Sequence, residues 1–282
     1  MEIRIPEDSD FQRLRAMCDS SDGWELAYQK KAVRVWTREN NGNVSTNFKM
    51  FRVRADFLDI SAATVYDVLH DTEYRTKWDK YMIECQDIGL VNANNDVCYY
   101  AVRSPPPIRN RDFLLQRTWL ATAGEYMIFN HSICHDDFPP RKGCVRATSF
   151  FTGYLMRPLH ITGNPANNGC QVYYVTHSDP KGKLPSWLVN SLTEIVCPKM
   201  IKKLHKACLA YPAWKVLNNP HWKPWVRADQ LCHSGRVDLA KCKPREYDQE
   251  LIDESCIGEL PLAEVVGPLD EDKSPQNNGT TS

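Results

Sequence analysis

The sequence predicts an α+β domain in which a run of antiparallel strands lies between helices. The middle of the chain holds strand-like segments at residues 97–103, 112–121, 125–134, 144–156 and 170–177, separated by stretches rich in proline, glycine and asparagine. Apolar residues at helical spacing occur before this run and again after it. Because helices and strands do not alternate regularly along the chain, a parallel α/β sheet is disfavoured.

The part of the chain before this run predicts helices and strands of its own. In chain order these are a helix over residues 9–19, strands over 33–37 and 48–53 with a turn at 40–43, and helices over 61–69 and about 74–82. The first helix has Ser9 as a capping residue and places Phe11, Leu14 and Met17 at helical spacing, which indicates a short amphipathic helix.

The C-terminal part of the chain changes character twice. A long helix is predicted from about residue 185 to residue 211, so we expect a folded domain over residues 1–211. Residues 212–243 form an aromatic and proline-rich extension. Residues 244–282 hold ten acidic and two basic residues, a net charge of −8, and we expect them to form a disordered acidic tail. Since the whole chain is formally neutral, the rest carries +8 and suits an anionic surface, for which the tail can compete.

Within the tail, Ser274 precedes Pro275 and follows three acidic residues and a lysine. This pattern indicates a phosphorylation site, and a phosphate there would make the tail still more negative. The alternative is an inert, solvated tail.

The cysteine pattern and the start of the chain indicate a reduced compartment. Eleven cysteines are scattered singly, an odd number with no CxxC pair, which disfavours a disulfide scaffold. The first residues, MEIRIPEDSDFQRLR, lack the apolar stretch of a signal peptide, and no run of about 18 apolar residues occurs. We expect a cytoplasmic protein that contacts membranes only transiently, at their surface.

Motifs for catalysis and for cofactor binding are absent from the sequence. It contains no GxSxG, HExxH, Walker or GxGxxG pattern. The histidines and cysteine of residues 131–135 are of catalytic types, but an acidic pair and two prolines at 136–140 favour a polar turn. Cys232, His233 and Cys242 lack the spacing and the fourth ligand of a metal site. We therefore expect no enzyme activity, no cofactor and no metal.

A stripe of lysines runs along the predicted C-terminal helix. Lys199, Lys202, Lys203 and Lys206 share one helix face, and apolar residues occupy the opposite face. The apolar face is expected to cover the core. The lysines are either simply solvated or contact an anionic membrane. No aromatic residues are interleaved with them on that face, so a nucleic-acid partner is disfavoured.

Three segments resemble motifs of the START family of lipid-transfer domains. YRTKWD at residues 74–79, PPPIRNRDF at 105–113 and DPKGKLPSWLVN at 179–190 resemble its helix, strand-entry and lid motifs, in the same order. The resemblance covers about residues 15–210 and is greatest to the phosphatidylcholine-transfer branch. It implies a helix-grip fold, a curved antiparallel sheet around a long C-terminal helix, with an internal cavity for one lipid. It also implies a monomer that carries phospholipid between membranes.

The resemblance also implies which residues hold the phospholipid head group. Arg75 takes the position of the arginine that binds the lipid phosphate, and Thr152 lies near that of the assisting glutamine. The guanidinium of Arg75 suits phosphate, because it can donate two hydrogen bonds to it at once. The alternative is that Arg75 pairs with a structural carboxylate such as Asp112. Trp187 and Leu188 begin the lid, which together with the lysine stripe is expected to meet the membrane.

For the choline group, the resemblance implies an aromatic cage formed by Tyr100, Phe113 and Phe150. A tryptophan of the family pattern is replaced by Tyr100, and two tyrosines are replaced by the phenylalanines. Because tryptophan gives the best cation–π face, we expect a weaker cage that admits phosphatidylethanolamine beside phosphatidylcholine. For each ring the alternative is plain core packing.

Other functions stay open at this point. The same fold accommodates a sterol or a ceramide, in which case Arg75 and the cage are not ligand contacts. START domains also occur in thioesterases, where the catalytic domain is a separate module that this chain has no room for. A lipid-sensing adaptor would act through the C-terminal extension or tail.

Overall fold

The structure, a computed structural model, describes residues 2–39, 48–160, 168–191, 195–232, 234–244, 247 and 251–261. The helices are α1 (Asp8–Asp19), α2 (Ala62–His70), α3 (Thr72–Trp78), α4 (Ser186–Ser191) and α5 (Cys197–Leu217). The strands are β1 (Glu25–Lys30), β2 (Val33–Arg38), β3 (Met50–Phe57), β4 (Met82–Asn92), β5 (Asn95–Val102), β6 (Asn110–Ala121), β7 (Tyr126–Ser132), β8 (Cys144–Arg146), β9 (Thr148–His160) and β10 (Asn168–Asp179). Two short 3₁₀ helices follow, Ala228–Leu231 and Leu239–Lys241.

Nine of these strands form one antiparallel sheet in the order β1-β2-β3-β10-β9-β7-β6-β5-β4. The short β8 lies off this path and runs parallel to β6. The predicted α+β class and the antiparallel sheet packed on a long C-terminal helix are confirmed.

Helices cover both faces of the sheet. The face that carries α2 and α5 is called the inner face here, and its core includes Val172, Ile201 and Leu204. The face that carries α1 is the outer face, where Leu14 packs with alternate residues of β9 and β10 such as Leu155. Adjacent residues of a strand point to opposite faces, so one strand supplies both cores.

Two strands were not predicted because their side chains do not alternate cleanly. β1 is an edge strand and is exposed along most of its length. β4, the other edge strand, pairs with β5 through three register shifts, which break the two-residue period. The predicted turn at 40–43 lies outside the described residues.

The predicted helix over residues 185–211 was wrong at its C-terminal end. α4 and α5 lie within the predicted span, residues 192–194 lie outside the described residues, and α5 continues past Pro212 to Leu217. Tertiary contacts explain the continuation, because Asp71 accepts hydrogen bonds from Tyr211 Oη at 3.0 Å and from Lys215 Nζ at 2.8 Å. This buried ion pair stabilises the last turns of the helix against the N-terminus of α3.

The C-terminal extension packs on the domain. Trp225 Nε1 donates to Asp67 of α2 at 2.7 Å, and Val237 joins a core of β5 and β6 residues on the sheet. Residues 251–261, within the segment predicted to be disordered, also lie against the domain, and Glu254 is buried. The division of the chain at residues 211 and 243 stays a prediction, and Ser274 lies outside the described residues.

In the part of the chain that the structure describes, no helix is long and apolar enough to cross a bilayer. Nor do three or more histidine, cysteine or acidic side chains of that part come together in a way that could hold a metal ion.

Candidate functional site

Side-chain burial changes along the inner face of the sheet. On β10, Val172 is fully buried, whereas the side chains that follow on the same face, Tyr174 and Thr176, are only half-buried. On β9, Met156 is fully buried and Tyr154 is half-buried. We call the part with buried residues the packed half. The open half comprises the half-buried residues Arg75, Tyr100, Phe113, Thr152, Tyr154, Tyr174, Thr176 and Ser178.

Burial suppresses the ionisation of two half-buried groups on this side of the sheet. Burial raises the pKa of Tyr154 to about 12, although Arg75 acts to lower it. Burial also raises the pKa of Cys197, in the first turn of α5, to about 12. Partial exposure together with suppressed ionisation suits the wall of an internal space between the open half and the first turn of α5, and such a space is part of the function proposed below.

Arg75 lies in the open half because of how α3 is built. Asp71 caps the helix by accepting from Tyr74 N at 3.0 Å, and Tyr74 Oη donates to Ala207 O of α5 at 2.8 Å. The guanidinium of Arg75 lies 4.9 Å from the ring centroid of Tyr100. Burial acts to lower the pKa of Arg75, but Tyr100 and Asp79 outweigh it and raise that pKa above its ordinary value. Like every arginine, Arg75 is a permanent cation.

Asp79 fixes the orientation of both Arg75 and Tyr100. Its Oδ2 accepts from Arg75 Nε and from Tyr100 Oη, both at 3.0 Å. Among the described residues, neither Nη atom of Arg75 has a hydrogen-bond partner. The predicted alternative partner, Asp112, instead pairs with Arg146 at 3.0 Å. Arg75 thus pairs with Asp79 and not with Asp112, and its Nη atoms keep donors for another group.

The structure brings two of the three predicted cage residues together. Tyr100 and Phe113 are directly opposed on β5 and β6, so their side chains share the inner face. Phe150 lies at a register shift of β9, where its ring is 4.8 Å from that of His177. It lines an outer-face pocket with Arg13. The three aromatic residues therefore do not form one cage in this structure.

Thr152 belongs to a cluster of hydroxyl groups. Its Oγ1 lies 2.8 Å from Thr176 Oγ1, 3.0 Å from Ser149 Oγ and 3.4 Å from Ser178 Oγ. The inner-face residue two positions further along β9 is Tyr154, which faces Tyr174 with 4.8 Å between ring centroids. The sequence analysis missed the two tyrosines, although the two-residue period from Thr152 points to Tyr154.

A second buried charge pair faces the same side. Asp96 and Arg117 are directly opposed on β5 and β6, on the face that carries Tyr100, and their closest atoms are 2.5 Å apart. Burial raises the pKa of Asp96 despite this partner. The sequence analysis missed this pair, since only the strand register brings the two residues together.

The predicted lid residues lie partly under the C-terminal segment. Trp187 Nε1 donates to Ile257 O at 2.9 Å, and Leu188 is buried. Of the lysine stripe, Lys202 and Lys206 are exposed, while Lys199 is half-buried. Lys203 is also half-buried, with its Nζ 4.6 Å from the ring centroid of Tyr81. The role of these residues at a membrane stays a prediction.

Comparisons with known proteins agree with this fold. Residues 5–215 match the model of the START domain. The chain is 40% identical over 258 residues to START domain-containing protein 10 of Homo sapiens, covering 91% of this chain and 86% of that protein. It is 28% identical over 196 residues to the phosphatidylcholine transfer protein of Bos taurus, covering 68% and 87%. The crystal structure of human STARD10 superposes with a TM-score of 0.77 at 39% identity, covering 88% of this chain and 98% of that one. The chain therefore belongs to the START family of lipid-transfer domains, in the branch similar to phosphatidylcholine transfer protein.

Proposed function

We propose that the protein binds one phospholipid in the space between the open half and α5 and transfers it between membranes without chemical change. The proposed cargoes are phosphatidylcholine and phosphatidylethanolamine. The relative from Bos taurus is named for phosphatidylcholine transfer, which supports the cargo class.

The observation that carries the proposal is the state of Arg75. A permanent cation, removed from bulk water and with its Nη atoms unpaired among the described residues, suits a phosphate diester, whose oxygens accept from a guanidinium in bidentate fashion. Tyr154 lies within electrostatic reach of Arg75 and offers a hydroxyl donor at the same site.

The charge balance of the site favours a zwitterionic head group. Arg75 and Asp79 together are neutral, so a head group with one phosphate and one ammonium leaves the site neutral after binding. A head group with an additional negative charge would bury an uncompensated charge, which costs free energy.

The aromatic pair supports a broad preference between choline and ethanolamine. Tyr100 and Phe113 offer two ring faces but no indole to a quaternary ammonium, so the cation–π attraction is weak. The ammonium of ethanolamine, unlike choline, donates hydrogen bonds, and acceptors are near in the hydroxyl cluster around Thr152.

Transfer requires that the acyl chains find the interior about as favourable as a bilayer. Roughly 30 methylenes at ~0.8 kcal/mol each resist exposure to water by about 25 kcal/mol. Uptake and release therefore take place at the membrane surface. We propose that α4 opens there while the lysines of α5 contact anionic lipids, and that the acidic tail, more so if Ser274 is phosphorylated, competes with that contact.

A sterol carrier is the second candidate, and one observation favours it. The Arg117–Asp96 pair offers both donors and acceptors to a single hydroxyl group on the inner face. If it is the ligand contact, Arg75 is dispensable for uptake.

Native mass spectrometry with lipid extraction, on protein purified from cells, tests the proposal. We expect a one-to-one complex with phosphatidylcholine and phosphatidylethanolamine for the wild type. Arg75→Ala should lose this lipid. Lys77→Ala, which removes a charge from an exposed position of the same helix, should retain it. A sterol in the wild type, or undiminished phospholipid in Arg75→Ala, would contradict the proposal.

A further inference from the structure

Residues 251–261, called the C-terminal strap here, bind across the connection between β10 and α4. Lys183 N donates to Ile252 O at 2.9 Å, and Glu254 N donates to Lys183 O at 2.8 Å. Lys183 and Asp253 form a parallel β-bridge. The strap is therefore held as a short added strand, a mode by which proteins bind extended peptides.

Glu254 fixes the strap in a buried position. It is only 5% exposed; its Oε1 accepts from Arg109 N at 2.7 Å and its Oε2 from Arg111 Nη2 at 2.9 Å. Arg111, 4% exposed, also donates to the carbonyls of Pro180 and Lys181. One guanidinium thus joins the strap, the start of β6 and the β10–α4 connection.

The strap is also fitted closely to its groove and reaches the lid. A Cβ at Gly182, whose φ is +74°, would lie 2.7 Å from Ile252 O. Further along, Ile257 O accepts from Trp187 Nε1 of α4 at 2.9 Å. The connection that the strap covers begins directly after the end of β10 that carries Thr176 and Ser178 of the open half.

We propose that this groove is a docking site for an extended acidic segment, that the chain's own residues 252–257 occupy it, and that their docking is an autoinhibitory latch on lipid exchange. The latch holds α4 and the connection before it against the domain. Lipid enters or leaves when the strap is released. The inference rests on the proposed function only in that α4 moves during exchange; it does not depend on which lipid is carried.

A matched pair of acidic substitutions tests the role of Glu254. Glu254→Gln keeps the shape of the side chain and removes the charge from a buried contact, so it should weaken docking by about tenfold. Asp253→Asn removes the neighbouring charge, which pairs with Lys183 at the surface, with side chains 46% and 62% exposed. Such an exposed pair contributes little, so this variant is the control.

A matched pair of glycine substitutions tests the same latch from the opposite side of the groove. Gly182→Ala places a methyl group against Ile252 O and should displace the strap. Gly143→Ala introduces a side chain at a similar backbone conformation, φ +85°, where no atom lies within 4 Å. Its effect therefore measures backbone strain alone.

The experiment uses the full chain with the lipid it carries on purification. Hydrogen exchange of residues 183–191 and 251–261 reports docking, and mass spectrometry reports release of that lipid to vesicles of deuterated phosphatidylcholine. We expect Glu254→Gln and Gly182→Ala to lose protection and to release lipid several-fold faster than their controls.

Two results would overturn the latch: unchanged protection in both variants, or lost protection with an unchanged release rate. Faster release of a sterol would support the latch and contradict the proposed phospholipid cargo, so the two failures are distinguishable.

Discussion

The packed and open halves of the inner face use the same strands for different purposes. In the packed half, Val172 and Met156 are buried beneath α2 and α5 together with Ile201 and Leu204. In the open half, the same two strands present hydroxyl and phenol groups, and α3 adds a guanidinium. The comparison teaches that β9 and β10 supply stability at one end and, in the function proposed above, recognition of the ligand at the other.

The two halves differ because a packed core and a binding site have different physical requirements. A packed core gains free energy from every apolar contact and tolerates no empty volume. A binding site instead leaves polar groups incompletely satisfied until the ligand arrives. In the open half, Arg75 has one carboxylate partner and uses Nε alone for it.

The largest expected effect is in the packed half. Leu204→Ala removes a side chain that is 2% exposed and should lower the free energy of unfolding by about 2–5 kcal/mol, because the cavity left behind collapses only partly. Leu209→Ala, at a position of α5 that is 53% exposed, is the control and should change it by less than about 0.5 kcal/mol. Urea unfolding measures both. Equal effects would show that α5 is not packed on the sheet as described.

The next effect is a pH dependence that arises in the packed half. Burial, with Arg117 as a smaller cause, holds the pKa of His70 well below its ordinary value of 6.5. The unfolded chain therefore binds a proton that the folded chain does not, so stability is full above about pH 6.5 and falls as the pH drops. The slope should approach about 1.4 kcal/mol per pH unit.

His70→Phe isolates this contribution, because the pKa values of His131 and His177 are also lowered and act in the same direction. Phenylalanine retains an aromatic ring between Tyr66 and Trp225. We expect thermal unfolding measured from pH 7 to pH 5 to show a smaller loss of stability in the variant. Parallel curves would mean that His70 is protonated in the folded protein.

The smallest expected effect sharpens the description of the open half. Tyr100→Trp provides a better cation–π face beside Arg75 and should raise the preference for choline over ethanolamine by about two- to fivefold. Uptake from vesicles that contain both lipids in equal amounts measures the ratio. Phe150→Trp, on the outer face, is the matched control. A ratio that changes in the control and not at Tyr100 would place the head group elsewhere.

The sequence predicted the neighbourhood of several site residues where a family motif identifies them. The family resemblance carried by the YRTKWD and PPPIRNRDF segments implied that Tyr100, Phe113 and Arg75 share one region, and the structure places them close together. Sequence reasoning failed at Phe150, because a register shift in β9 directs this ring to the outer face and a two-residue period does not reveal it. It also missed the docking of Glu254, because the residues that hold this side chain, Arg109 and Arg111, are distant in the sequence.

A crystal structure of the protein purified with bound phosphatidylcholine tests the central claim most directly. We predict acyl chains between the open half and α5, and a phosphate oxygen about 2.7–2.9 Å from an Nη atom of Arg75. A phosphate bound at Arg117 or on the surface, or an inner face filled by side chains with no ligand, would contradict it.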